Sequence, residues 1–228
     1  GSSLMEIELI GICKGFKAGD QTQSILSDVN IQFESGKFTA ILGKSGSGKS
    51  TLLNIISGID TPDSGKIKLN QTDLTDLSDY KRTILRRHKI GIVFQFFNLI
   101  STLTVLENVT LISELSGGPK KQTYQKAKNL LEQVGLGDKL NVMPDILSGG
   151  EQQRVAIVRA LAHEPELILA DEPTGNLDNK TALMVMNQFL KLIKEHNKTL
   201  IMATHSEEAA KLADRIVFIK NNQLVEEN

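Results

Sequence analysis

Apolar and polar positions along this chain follow two alternating spacings. Short, near-continuous apolar runs at Phe38–Leu42, Ile90–Phe94, Leu167–Ala170, Thr199–Ala203 and Arg215–Ile219 have the length of buried strands. Runs that are apolar on both faces predict a mostly parallel sheet covered on either side. Between them the spacing becomes helical. Ala182, Val185, Met186, Phe189, Leu190 and Ile193 form one i, i+3, i+4, i+7 stripe. Ala127, Leu130, Leu131 and Val134 form a second, which stops at Gly135-Leu136-Gly137. The segment up to about Phe33, with Lys66–Leu69, reads as shorter strands of a side sheet. From about Phe96 to Val158 the pattern is mostly helical and interrupts the strand–helix rhythm. The fold expected is α/β: a mostly parallel core sheet, an antiparallel β side sheet and an inserted α-helical subdomain. It is read as one domain over 1–228, with its core at about 1–95 and 159–228 and the helical part at about 96–158.

Composition narrows the function classes. The 228 residues suffice for a sizeable core. Lys and Arg number 26 against 27 Asp and Glu, a net charge of −1, so no global field attracts nucleic acid or anionic lipid. The single cysteine, Cys13, excludes an internal disulfide framework and suits a reducing compartment. No apolar run approaches the ~20 residues needed to span a bilayer, and no secretory signal is visible. A soluble chain is expected, with any membrane role coming through a partner. Gly1-Ser2-Ser3, ahead of Met5, is set aside as an expression remnant. The basic run Lys81-Arg82 and Arg86-Arg87-His88-Lys89 is either a nucleic-acid patch or a solvated helix face. Neighbouring Asp73, Asp76 and Asp79, and the lack of stacking aromatics other than Tyr80, favour the solvated face.

Candidate chemistry begins right after the run Phe38–Leu42. Gly43-Lys44-Ser45-Gly46-Ser47-Gly48-Lys49-Ser50 fits G-x-x-x-x-G-K-[ST], in which glycines let backbone N–H groups crowd a triphosphate. Lys49 reaches the β- and γ-phosphates, and the Ser50 hydroxyl can ligate Mg²⁺. Ser50–Ile56, closed by Gly58, reads as the helix whose positive end faces those phosphates. With Thr51, this stretch is the candidate cradle for a nucleoside triphosphate.

Two further constellations suit the same chemistry. Leu167–Ala170 ends in Asp171-Glu172. A strand-end aspartate beside a phosphate loop holds hydrated Mg²⁺, the role Asp171 fits, and Glu172 could polarise the attacking water. Taken alone, such a pair is an ordinary solvated loop start. Leu147-Ser148-Gly149-Gly150-Glu151-Gln152-Gln153 contains an S-x-x-E capping box, Ser148 with Glu151, opening a helix over Gln152–Ala162. Capping leaves the paired glycines unexplained, since they cost helix stability. They would expose N–H groups at a positive helix end, an anion site serving another subunit's ATP.

Phosphate loop, Gln95, Leu147–Gln152, Asp171-Glu172 and His205, in that order, resemble the ATPase subunit of ATP-binding-cassette (ABC) transporters from about Met5 to Gln223. The resemblance implies the phosphate-loop ABC ATPase fold, ATP and Mg²⁺ as cofactors, and a head-to-tail dimer of two copies with ATP at the interface. Each ATP would sit between one copy's phosphate loop and Ser148, Gly149, Gly150 and Glu151 of the other. Catalytic roles are implied for Glu172, His205, Lys49 and Gln95, and metal ligation for Ser50, Gln95 and Asp171. Gln95 would also sense a membrane partner, and His205 would contact the γ-phosphate. Gly175-Asn176-Leu177-Asp178 matches the loop between the two sites, with Asp178 its acid. Phe16 matches the aromatic that stacks on adenine, where tyrosine is usual. An integral membrane permease is the implied partner, no nucleic acid is, and the implied location is cytoplasmic, on the inner face of the membrane through that permease.

Asn98-Leu99, Leu103–Val109 and Gly175–Asp178 resemble the macrolide-efflux, lipoprotein-releasing and antimicrobial-peptide-resistance branch. Amino-acid importers usually carry Ser-Ala in place of Gly175-Asn176. Thr104 and Glu107 also spell a capping box, so helix starting explains part of that segment. The alternatives are a soluble ABC ATPase acting on ribosomes or chromosomes, an importer ATPase, and a phosphate-loop module without turnover. Intact Lys49, Asp171, Glu172 and His205 argue against the last.

Overall fold

The computed structural model describes residues 5–115, 117–118 and 120–226; Gly1-Ser2-Ser3 lie outside them. In chain order the first elements are β1 (Ile7–Ala18), β2 (Gln21–Phe33), β3 (Phe38–Leu42), α1 (Lys49–Ser57), β4 (Ser64–Leu69) and β5 (Thr72–Asp73). Next come α2 (Asp79–Lys89), β6 (Ile90–Val93), α3 (Val105–Leu115), α4 (Lys120–Gln133) and α5 (Gly149–Ala162). The chain closes with β7 (Leu167–Asp171), α6 (Asn179–Glu195), β8 (Thr199–Thr204), α7 (Glu207–Ala210), β9 (Arg215–Lys220) and β10 (Gln223–Glu226). The α/β fold anticipated above is the one observed. Among the described residues no helix is long and apolar enough to cross a membrane.

Two compact units divide the chain. The first takes the residues up to Arg86, Leu169–Asp171 and those from Lys198 onward; the second takes Arg87–Ile168 and Glu172–Asn197. The helical stretch 96–158 therefore lies inside the second unit, which also holds β6 and α6.

In the first unit, β3 pairs in parallel with β8, Phe38 opposite Leu200 and Leu42 opposite Thr204, and with β9, Ala40 opposite Ile216. All six residues of β8 are buried, as an apolar run in a covered parallel sheet requires. The side sheet is antiparallel in the order β2-β1-β4-β5. Its main strands are not short: β1 and β2 run 12 and 13 residues. Register shifts between Leu9 and Ile12, and between Ile12 and Lys14, break the period-two pattern and disguise one long strand as pieces. The strand β10 was not anticipated. It folds back on β9 through Asn221-Asn222, both at positive φ, the residue type and conformation of a two-residue hairpin turn. Leu52, Leu53, Ile55 and Ile56 bury one side of α1, and Gly58, at φ 80, ends it with its N–H on the Ile55 carbonyl.

In the second unit, α5 touches α3, α4, α6 and β6 and forms the centre of the packing. Ala127, Leu130, Leu131 and Val134 are buried as their stripe requires, and Gly135 at φ 77 stops α4. On α6 the buried positions are Val185, Met186, Phe189, Leu192 and Ile193. Leu192 replaces Ala182 and Leu190, which are only half-buried. The Thr104 capping box forms as spelled: the Glu107 N–H donates to Thr104 Oγ1 and the Thr104 N–H to Glu107 Oε1. The basic run lies on α2, which has no buried residue; Arg82 pairs with Asp79 and Tyr80 is exposed.

Candidate functional site

The first unit gathers its candidate residues at the carboxyl ends of β3, β7 and β8, where open α/β sheets bind ligands. The loop leaves β3 at Gly43, whose N–H donates to the Thr204 carbonyl at 3.3 Å. That bond places His205, the next residue after β8, beside the start of the loop. Lys44, Ser45 and Gly46 are exposed, whereas Gly48 and Lys49 are buried behind them. Gly48 caps α1 at φ 103, a conformation L side chains avoid. A Cβ on Gly43 would stand 2.6 Å from Ser47 Oγ, so a side chain there would displace that hydroxyl. Lys49 Nζ donates to the carbonyls of Gly43 and Lys44, the latter at 2.8 Å. The ammonium thus sits inside the loop, hydrogen-bonded to its backbone, where a phosphate-loop lysine could reach phosphate oxygens. Ser47 Oγ is buried without a hydrogen-bond partner, a donor a phosphate could use. Thr51 is half-buried on the first turn of α1.

Ser50 Oγ donates to Asp171 Oδ2 at 2.7 Å. A hydroxyl and a carboxylate in contact beside a phosphate loop suit Mg²⁺, which takes one or two protein oxygens and keeps waters. The residues present therefore fit the ion. Phe16, on β1 opposite Gln23, is 49 % exposed, so it is a free aromatic face and not a core residue.

In the second unit, Glu172 adopts φ 46, in the left-handed region that non-glycine residues rarely occupy. The turn reverses the chain after β7: the Gly175 N–H donates to the Glu172 carbonyl and the Leu177 N–H to that of Thr174. Asp178 caps α6, accepting from the Thr181 N–H; hydrogen bonding from Thr181 lowers its pKa. Gln95 follows β6, half-buried, with its Nε2 donating to Asn176 Oδ1 at 3.1 Å.

Ser148 is exposed at the start of α5. Its Oγ accepts from the Glu151 N–H and its own N–H donates to Glu151 Oε1, a bond that lowers the Glu151 pKa. The helix begins at Gly149, earlier than the expected Gln152, because both glycines fit its first turn. Packing supplies a reason for them. A Cβ on Gly150 would stand 2.5 Å from Thr181 Cγ2, and one on Gly149 3.3 Å from Leu177 Cδ2. Gly150 is buried and Gly149 half-buried, so the paired glycines also let α5 approach the start of α6.

Three side chains that carried no separate role in the sequence hold these loops. Gln153, fully buried, donates to the carbonyls of Phe94 and Pro173, next to Gln95 and Glu172 respectively. β6 stops at Val93, one residue short of the expected Phe94, whose carbonyl accepts from Gln153 instead. Arg159 holds the Phe97 and Asn98 carbonyls, and Asn176 holds Gln95. The readable signal was Gln153, a polar residue at helical spacing from the buried Ala156 and Ile157.

Comparison with known proteins identifies the family. Residues 26–175 match the family model described as ABC transporter. An uncharacterized ABC transporter ATP-binding protein of Mycobacterium tuberculosis is 51% identical over 96% of this chain and 88% of its own length. The lipoprotein-releasing system ATP-binding protein LolD of Gluconobacter oxydans is 40% identical over 99% of this chain and 96% of its own. A dimeric structure of the ATP-binding cassette MJ0796, in a post-hydrolysis state bound to ADP and Pi, superposes with a TM-score of 0.87 at 40% identity, covering 97% of both chains. The order of motifs, the phosphate loop closed on its lysine and the match along nearly the whole length lead to one conclusion: this chain belongs to the ABC transporter family and is one of its ATPase cassettes.

Proposed function

We propose that this cassette works as a head-to-tail dimer of two copies that closes on two Mg²⁺-ATP molecules and opens after their hydrolysis, moving a separate membrane permease. The contact of Ser50 with Asp171 beside the buried Lys49 is the observation that carries this reading. A hydroxyl and a carboxylate suited to Mg²⁺, next to an ammonium suited to phosphate, support the nucleotide site of this reading. The ATP phosphates lie in the cradle Gly43–Thr51, and Lys49 exchanges backbone carbonyls for β- and γ-phosphate oxygens in charge-assisted bonds. Ser50 and Asp171 would hold Mg²⁺, with Gln95 a further ligand by the family resemblance, and the ion would neutralise phosphate charge. Adenine stacks on the open face of Phe16.

Glu172, held by the turn after β7, takes the proton of the attacking water, and His205 steadies the γ-phosphate. Ser148 of a second copy, with Gly149, Gly150 and Glu151, completes the pocket; exposed Ser148 at a helix N-terminus supports this, as does the dimeric relative of known structure. ADP lacks the γ-phosphate, so it loses the differential affinity that holds the copies together. Similarity to the lipoprotein-releasing protein over nearly its full length supports export or force transmission through a separate permease, with the cassette on the inner face of the membrane. Glu172→Gln tests the proposal. It should keep ATP binding and accumulate as a dimer with ATP on a sizing column, whereas a variant that stays monomeric with bound ATP would overturn the closure model.

A further inference from the structure

We infer that Asn176 is a positioning residue that sets the orientation of the Gln95 carboxamide. Two hydrogen bonds join the pair in opposite senses. Gln95 Nε2 donates to Asn176 Oδ1 at 3.1 Å, and Asn176 Nδ2 donates to the Gln95 carbonyl at 3.3 Å. The side chain and backbone of Gln95 are thus gripped by one residue 81 positions away. Both ends of the grip are hydrogen-bonded to their surroundings. Asn176 lies inside the turn fixed by the Gly175 and Leu177 N–H groups. On the other side, Gln153 pins the Phe94 carbonyl immediately before Gln95.

The chemical consequence is a choice between two amide flips. A carboxamide has a donor end and an acceptor end of nearly equal shape. Because Asn176 Oδ1 can only accept, it engages the Gln95 nitrogen and leaves Oε1 as the end to offer elsewhere. Only that oxygen can ligate a cation. Gly175 restricts the arrangement further, since a Cβ there would stand 2.8 Å from Gln95 Nε2 and 3.0 Å from its Cδ. The Gly175-Asn176 pair therefore acts as a seat for Gln95: the glycine leaves room for the carboxamide and the asparagine orients it.

This inference rests on the proposed metal role of Gln95, and the experiment separates the two. The ¹⁵N side-chain amide resonances of Gln95 are followed in the nucleotide-free protein, and Mn²⁺ binding in the presence of a non-hydrolysable ATP analogue is titrated by electron paramagnetic resonance. Asn176→Ala should bring the Gln95 amide protons to solvent-like exchange and weaken Mn²⁺ binding about fivefold, the scale of one hydrogen bond. Asn176→Asp keeps the acceptor for Gln95 Nε2 but loses the Nδ2 donor to the Gln95 carbonyl, so it should retain part of the protection and affinity, between Asn176→Ala and wild type. Gly175→Ala should shift the Gln95 resonances with Asn176 intact. Thermal melting checks that all variants fold. Wild-type Mn²⁺ affinity in Gln95→Ala would overturn the metal reading of Gln95 itself. Weakened binding in Gln95→Ala with wild-type binding and exchange in Asn176→Ala would overturn the role of Asn176 alone. Equal loss in Asn176→Asp and Asn176→Ala would also overturn it.

Discussion

Ser50 and Asp171, 121 positions apart in sequence, meet with Ser50 Oγ donating to Asp171 Oδ2 at 2.7 Å. The hydroxyl opens α1 and the carboxylate closes β7, so a helix start and a strand end supply one pair of oxygens. The carboxylate oxygen that accepts this proton is the kind of hard donor Mg²⁺ prefers.

Loss of the carboxylate charge should therefore separate nucleotide binding from metal-dependent turnover. Asp171→Asn is expected to lower Mg²⁺-dependent ATP hydrolysis on the order of a hundredfold, while Lys49 and the loop still bind ATP. Ser50→Ala should raise the Mg²⁺ concentration needed for half-maximal rate. A Mg²⁺ titration of the rate beside calorimetric ATP binding checks both, and an unchanged Mg²⁺ requirement in both variants would refute the metal assignment.

The exposed end of α5 makes a different prediction, about pairing. Ser148→Arg should spare ATP affinity of the single chain and abolish ATP-dependent dimerisation in the Glu172→Gln background. Ser148→Ala serves as control: it loses the same cap, worth about 1 kcal/mol, without adding bulk. A tenfold loss of monomer ATP affinity in Ser148→Arg would mean that Ser148 serves its own nucleotide.

Acid sensitivity should trace to a residue outside the catalytic set. His163, at the end of α5, has its Nε2 3.2 Å from the Ile90 carbonyl, and burial pushes its pKa below the ordinary 6.5. Nearby Lys126 and His88 push in the same direction, while the hydrogen bonds oppose them. The folded chain resists a proton that the unfolded chain accepts, so this contribution is complete above 6.5 and declines as pH falls toward the folded value. Melting temperature should therefore drop as pH falls below 6.5. His163→Gln, which keeps a donor for Ile90, should flatten that slope; an unchanged slope would assign it to other groups.

Packing predicts one position that tolerates no side chain. A Cβ on Gly91 would stand 2.3 Å from the Ala160 carbonyl oxygen and 2.8 Å from Ile168 Cδ1. Gly91→Ala should destabilise the fold by about 1–3 kcal/mol through overpacking, read as a lower urea midpoint. A midpoint equal to wild type would show that α5 and β6 can part at no cost.

Legibility from sequence varied with how local the physical demand was. Gly43–Ser50 was readable because its glycines, lysine and hydroxyl form one local pattern within a short stretch of chain. The Ser148–Glu151 and Thr104–Glu107 boxes were readable for the same reason: each closes within three residues. β1 reads as shorter from sequence because its bulges interrupt the alternation that identifies a strand. β10 carries no apolar run and exists because two asparagines turn it back onto β9. For Gly149 and Gly150, an anion site was the whole explanation offered; their contacts with Leu177 and Thr181 add one that no local pattern contains.

The order of residues alone determined that this is a phosphate-loop α/β cassette and which side chains are candidates for a triphosphate, because those patterns are spelled within short stretches of backbone. Tertiary structure decided what depends on long-range approach: that Ser50 meets Asp171, that Gln153 ties Phe94 to Pro173, and that Asn176 grips Gln95. Hydrogen bonds of about 3 Å between residues scores of positions apart form only after strands and helices have packed. No spacing along the chain encodes them.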